Sequence, residues 1–144
     1  MKFSVEVLNN GISSIAGELA WKREQIFKAI DELFENGFAI LGGEVWALVE
    51  KSEYASNIPP LTSIDSEKMV LGVIDCKDGK TAVFGWETEK KPTETWAQYV
   101  LSTKIEAIRS VEELDVENEV APKYKNQIYY HLVFVNEQKY KNSR

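Results

Sequence analysis

Cysteine and histidine are almost missing from this 144-residue chain: Cys76 and His131 are the only ones. A lone cysteine excludes an internal disulfide and suits a reducing compartment. With one of each, a Cys/His zinc shell would need carboxylates to complete it, and no tight ligand motif is present. Long apolar runs are missing too. Nothing approaches the roughly 20 apolar residues that a membrane span takes. The first ten residues break at Asn9-Asn10-Gly11 before any signal-peptide core develops. These absences point to the cytoplasm, with no membrane partner, no metal and no other cofactor expected.

Positive charge is the next shortage. Seventeen Lys and Arg stand against 23 Asp and Glu, a formal charge of −6. That is the wrong sign for gripping a nucleic-acid backbone or an anionic membrane directly. The imbalance is uneven. From Ala121 onward five basic residues face Glu137 alone, an excess of four that leaves about −10 on the first 120 residues. An acidic body with a basic, flexible tail over 136–144 follows.

What is present suffices for a core. The chain is 44% apolar with four Trp, six Tyr and six Phe, far from a disordered composition. Its length fits one domain over 1–144, since two halves would each have a marginal core.

The pattern along the chain predicts α+β. Phe3, Val5 and Val7 alternate with polar or flanking residues up to Asn10-Gly11, as in a short strand ending at a turn. Between Trp21 and Asn36, Ile26, Phe27, Ile30, Leu33 and Phe34 recur at helical spacing, with Gly37 placed to stop the helix. Phe38 to Val49 reads as a strand interrupted by Gly42-Gly43, where a bulge or a close backbone approach is expected. An irregular stretch from Lys51 to Lys68 carries Pro59-Pro60.

Met69–Asp75 and Thr81–Glu87 flank Asp78-Gly79, a hairpin signal. Pro92 and Thr93 can open a second helix to about Val111, with Leu101 and Ile105 off its main apolar face, as in a helix covered on more than one side. Glu112 to Glu119 holds five acids and reads as a solvated loop. Ile128 to Val135 is apolar on both alternating faces except at His131, as in a strand covered on both sides. The sum is a mainly antiparallel sheet of about five strands with two main helices packed on it.

No catalytic constellation emerges, and the chain is read as a non-enzyme. His131 sits in an apolar strand, where a satisfied structural histidine is the commoner case. Cys76 precedes a turn and reads as an unreactive thiol. Gly42-Gly43 belongs to no phosphate-binding loop. What remains is a group of aromatic and acidic residues around two glycine-containing strands: Glu44 and Trp46, then Glu87 and Glu89 beyond Gly85-Trp86. Glu44 and Trp46 share a strand face, so an exposed Trp46 makes an aromatic anchor beside a charge. A buried Trp46 makes it core, which is the more frequent fate of a large aromatic.

The order of these motifs resembles the immunity protein 40 family of bacterial polymorphic toxin systems. The resemblance rests on a helix leading into Ala39-Ile40-Leu41-Gly42-Gly43-Glu44-Val45-Trp46, then Gly85-Trp86-Glu87, then a helix through Trp96, Tyr99, Ser102 and Ala107, and it covers about residues 25 to 110. The family tends to have Asp where this chain has Gly85. The resemblance implies a protein that binds a cognate toxin and blocks its active or substrate-binding surface, with Glu44, Trp46, Glu87 and Glu89 as candidate contacts. A basic nuclease is one toxin that an acidic inhibitor suits. Two other classes stay open: a small cytoplasmic ligand-binding domain with its pocket near Gly42-Gly43 and the long loop, and a homodimeric interaction module whose strand edges pair.

Overall fold

Ile26, Ala29, Ile30 and Leu33 lie one helical turn or less apart, and in the computed structural model, which describes residues 2–143, all four are fully buried. They form the inner stripe of a helix, Arg23–Glu35 (α2). It stops at Gly37, whose φ of 77° is the left-handed conformation that glycine adopts without strain. The second long helix, Trp96–Glu113 (α3), starts later than Pro92 suggested. Thr95 caps it: its hydroxyl accepts from the Gln98 amide at 3.1 Å while the Gln98 side chain accepts from the Thr95 amide at 2.8 Å. Its buried stripe includes Tyr99, Val100, Ala107 and Val111. Leu101 and Ile105 are instead 46% and 57% exposed, so α3 is covered on one side only.

The N-terminal segment is a helix, Val5–Asn9 (α1), where alternation suggested a strand. The buried pair Phe3 and Val7 is four apart, a spacing that fits both periods, and Val5 between them is 73% exposed. Ser4 decides the matter: its hydroxyl accepts from the Val7 amide at 3.2 Å, and Glu32 of α2 accepts from both the Ser4 amide and hydroxyl.

Seven strands make one antiparallel sheet, more than the five or so expected because several are only two or three residues long. In chain order they are Gly11–Ser13 (β1), Leu19–Trp21 (β2), Ala39–Glu50 (β3), Thr62–Ser63 (β4) and Lys68–Leu71 (β5). After the separate hairpin of Ile74–Asp75 (β6) and Thr81–Ala82 (β7) come Gly85–Glu87 (β8) and Ile128–Val135 (β9). The spatial order is β1-β2-β9-β3-β5-β4, with β8 beside β3. The long β3 organises the rest: β9 runs along one edge, and β8 and β5 share the other, at Gly42–Glu44 and Ala47–Glu50. The hairpin read from Asp78-Gly79 is therefore shorter than expected. Only its tip pairs with itself, while Met69–Leu71 and Trp86 pair with β3, where they gain burial.

The sheet curls. The Ile15 amide, just past β1, donates to the Ser63 carbonyl of β4 at 3.0 Å, so the two outermost strands almost meet. One face carries the helices and the main core, including Trp21, Ile30, Val45, Val111, Tyr130 and Leu132. The other closes on itself around Ala20, Trp46 and Val70, with Ile12, Leu48, Ile64 and Tyr129 partly buried around them. Both faces of β9 are thus used, as its apolar run implied.

One smaller expectation changes. The acidic 112–119 stretch is the end of α3 followed by a short helix, Val116–Glu119 (α4), anchored by the fully buried Val116. Within the 136–144 tail, Glu137–Asn142 forms a helix (α5) whose Tyr140 ring packs 5.3 Å from Trp96; Arg144 lies outside the described residues. No helix among the described residues is long and apolar enough to cross a membrane.

Candidate partner-binding face

Gly42-Gly43 marks both things expected of it. The β3–β9 register slips between Ile40 and Gly42, a bulge, and β3 and β8 approach closely at this point. A Cβ on Gly42 would fall inside the van der Waals envelope of the Trp86 carbonyl oxygen, and one on Gly43 inside the Trp86 indole. A Cβ on Gly85 would lie 2.6 Å from the Gly43 carbonyl oxygen. Three glycines therefore let two backbones and one indole share a space that no larger residue allows.

Past this contact β3 carries Glu44 and Trp46 onto the curled face. Trp46 is fully buried, so of the two alternatives the core residue, and not the exposed anchor, is the one the structure has. Its indole N–H donates to Glu44 Oε1 at 2.9 Å, and its ring stacks on His131 with centroids 4.7 Å apart and planes 17° apart. His131 lies opposite Glu44 on β9. Its Nδ1 is 2.7 Å from the Leu19 carbonyl, which can only accept, so Nδ1 carries the proton. Nε2 then faces Glu18 Oε2 at 3.7 Å. Trp46 and His131 form a packed unit flanked by Glu44 and Glu18, tied down through the Trp46 N–H and His131 Nδ1.

The β3–β8 register pairs Gly42 with Glu87 and Glu44 with Gly85, so Glu44 and Glu87 are diagonal neighbours on the same face. Glu44 is half-buried and Glu87 exposed. Glu89 lies past the end of β8, exposed, outside that register. Neither Glu87 nor Glu89 has a side-chain hydrogen bond or ion pair among the described residues. The structure thus joins Glu44, Glu87 and the overlooked Glu18 in an acidic rim over the buried Trp46–His131 pair. Glu18 was missed because it lies in a turn before β2, and only the curl of the sheet brings it to His131.

A cleft of about 770 Å³ opens at the other end of β3, under the 51–58 loop, with Leu48, Tyr54, Asp75 and Lys123 in its lining. The long loop lines it, but Gly42-Gly43 does not. Its strongest polar groups satisfy one another. Asp75 accepts from Lys123 Nζ at 2.8 Å and from the Tyr124 hydroxyl at 3.2 Å, and the Lys123 bond holds the Asp75 carboxyl below the usual range. Glu50, Glu53 and Lys68 also line the cleft, with no side-chain bond among the described residues. The Cys76 thiol is pushed up by desolvation, the opposite of an activated nucleophile.

Residues 7–134 match the family model described as immunity protein 40. No curated protein and no solved structure matches the chain significantly.

Proposed function

The chain belongs to the immunity protein 40 family, and we propose that it binds a cognate toxin inside the producing cell and neutralises it by covering the toxin's active or substrate-binding surface. The family match over residues 7–134 carries this reading, because it spans both strands of the acidic rim. The activity is binding and not catalysis. Glu44, Glu87 and Glu89 are the contacts, with the buried Trp46 holding Glu44 in place from beneath.

Charge supports the reading. The chain carries −6 overall, and a toxin that handles nucleic acid needs a positive surface to hold phosphate, which an acidic rim meets with complementary charge. Co-expression with the toxin gene encoded alongside tests the class: growth restored by this chain alone supports immunity, and growth arrest unchanged by it removes the reading.

Stopped-flow kinetics with the same toxin test the mechanism. Exposed charges are screened beyond about 8 Å at physiological salt, so association slows as salt rises while dissociation changes little. Glu87→Lys and Glu89→Lys slow association in the same way. Glu44→Lys also raises the dissociation rate, because its carboxylate is half-buried. An association rate indifferent to salt and to all three reversals removes charge steering from the account.

A further inference from the structure

The strand β8 has an unused side. Its ladder with β3 extends to the Phe84 carbonyl, which accepts from the Val45 amide at 2.9 Å, and to the Thr88 amide, which donates to the Leu41 carbonyl at 2.9 Å. Antiparallel alternation therefore points the N–H and C=O groups of Gly85 and Glu87 away from β3. Among the described residues no other strand pairs with β8. Both residues are exposed, and their outward backbone groups have no hydrogen-bond partner among the described residues. Val83, in the same phase, is 68% exposed.

Open edges in native sheets are blunted by shortness, charged side chains, proline, a bulge or a covering segment. β8, Gly85–Glu87, is short and carries one charge, but it contains neither lysine nor proline, and among the described residues nothing covers Gly85 or Glu87. Its own charge is acidic: Glu87 on the strand, Glu89 beyond it and Glu44 on the neighbouring strand, with Lys90, whose Nζ is held by the Glu94 carbonyl, and Lys91 following Glu89. Such an edge disfavours a second copy of an acidic chain and suits an extended segment rich in cations.

We propose that the outer edge of β8 receives an extended, Lys- or Arg-bearing strand of the partner protein. That strand pairs with the backbone of Gly85 and Glu87 while its cations meet Glu44, Glu87 and Glu89. Naming the partner as a toxin rests on the immunity reading; the edge itself does not.

The test titrates isotope-labelled protein with a synthetic peptide of alternating Lys and Val, with a Glu-Val peptide as control, following backbone amides by NMR. Saturable shifts centred on Gly85 and Glu87 with the basic peptide alone are expected. Glu87→Pro removes one outward N–H together with the carboxylate and leaves the β3 ladder intact, so it weakens binding about fivefold more than Glu87→Gln does, the worth of one backbone hydrogen bond, at an unchanged melting temperature. Glu87→Gln keeps the edge and weakens binding less. Shifts centred elsewhere, an equal response to the Glu-Val peptide, or undiminished binding by Glu87→Pro overturn the proposal. So do concentration-dependent shifts at Gly85 and Glu87 without peptide, which assign the edge to a second copy. Edge binding without protection from the toxin sinks the immunity reading alone, and protection without edge binding sinks this proposal alone.

Discussion

The two faces of the sheet bury their aromatic anchors by different means. On the helix-bearing face Trp21 is fully buried among residues of α1, α2 and the strands, its indole donating to the Val7 carbonyl at 2.9 Å, with the Phe3 ring edge-on at 5.4 Å. On the curled face Trp46 is equally buried, yet strand residues and Ile64 just past β4 enclose it, and its polar partners are the side chains of Glu44 and His131. A helix covers a sheet face with apolar side chains and satisfies its own backbone. A face that closes by curvature leaves a mouth, and the mouth is lined by charge. The acidic rim is a consequence of how Trp46 is buried.

Emptying either anchor site tests whether the two clusters bear comparable load. Trp21→Ala and Trp46→Ala each lower unfolding free energy by about 3–5 kcal/mol in urea titrations, the usual range for a fully buried aromatic. A much smaller loss at Trp46 breaks the equivalence and makes the curled face a shell around a dispensable filler.

Gly42→Ala probes the junction between the faces. The new Cβ collides with the Trp86 carbonyl oxygen, a backbone atom that cannot rotate aside, so β8 must separate from β3. A loss of about 1–3 kcal/mol is expected, as for overpacking elsewhere. Hydrogen exchange at Trp86 and Thr88 should quicken, while amides of α2 stay protected.

Glu44 sharpens the account of the mouth. Glu44→Ala strips the Trp46 indole of its acceptor and costs about 1–2 kcal/mol, whereas Glu44→Gln retains an acceptor and costs less than about 1 kcal/mol. Equal costs for both indicate that the charge matters for the fold as well as for a partner.

The smallest effect lies on the far side, at Asp75. Its carboxyl titrates below the ordinary aspartate range because Lys123 hydrogen-bonds to it. A depressed carboxylate contributes stability that is present above its unfolded value and is lost as pH falls through its folded value. The stability difference between the wild type and Asp75→Asn therefore shrinks on acidification below about pH 4. It stays modest at neutral pH, because the Asp75 side chain is 44% exposed and solvent screens the pair.

Much of this architecture was legible in the chain. The stripe of Ile26, Ile30 and Leu33, the stop at Gly37 and the two-sided apolar run of β9 are local patterns with one physical solution each. Gly42-Gly43 announced a bulge or a close approach and marks both. The site was less legible. Glu44 and Glu87 were named from their neighbourhood to tryptophans, but that they are diagonal on one face depends on the β3–β8 register, which no local pattern encodes. The alternation of Phe3, Val5 and Val7 misled because a four-residue spacing serves helix and strand alike, and a single serine cap tipped the balance.

Sequence by itself determined the elements whose burial is decided within one turn or one strand: α2, α3, β3, β9 and the acidic balance of the body. Tertiary structure alone decided that β5 and β8 share one edge of β3, that Ser63 meets Ile15 and curls the sheet, and hence that Trp46 is interior while Gly85 and Glu87 present an open edge. The reason is that a strand's partner and a sheet's curvature are settled by which distant surfaces gain most from leaving water, a comparison across the whole chain that no single segment contains.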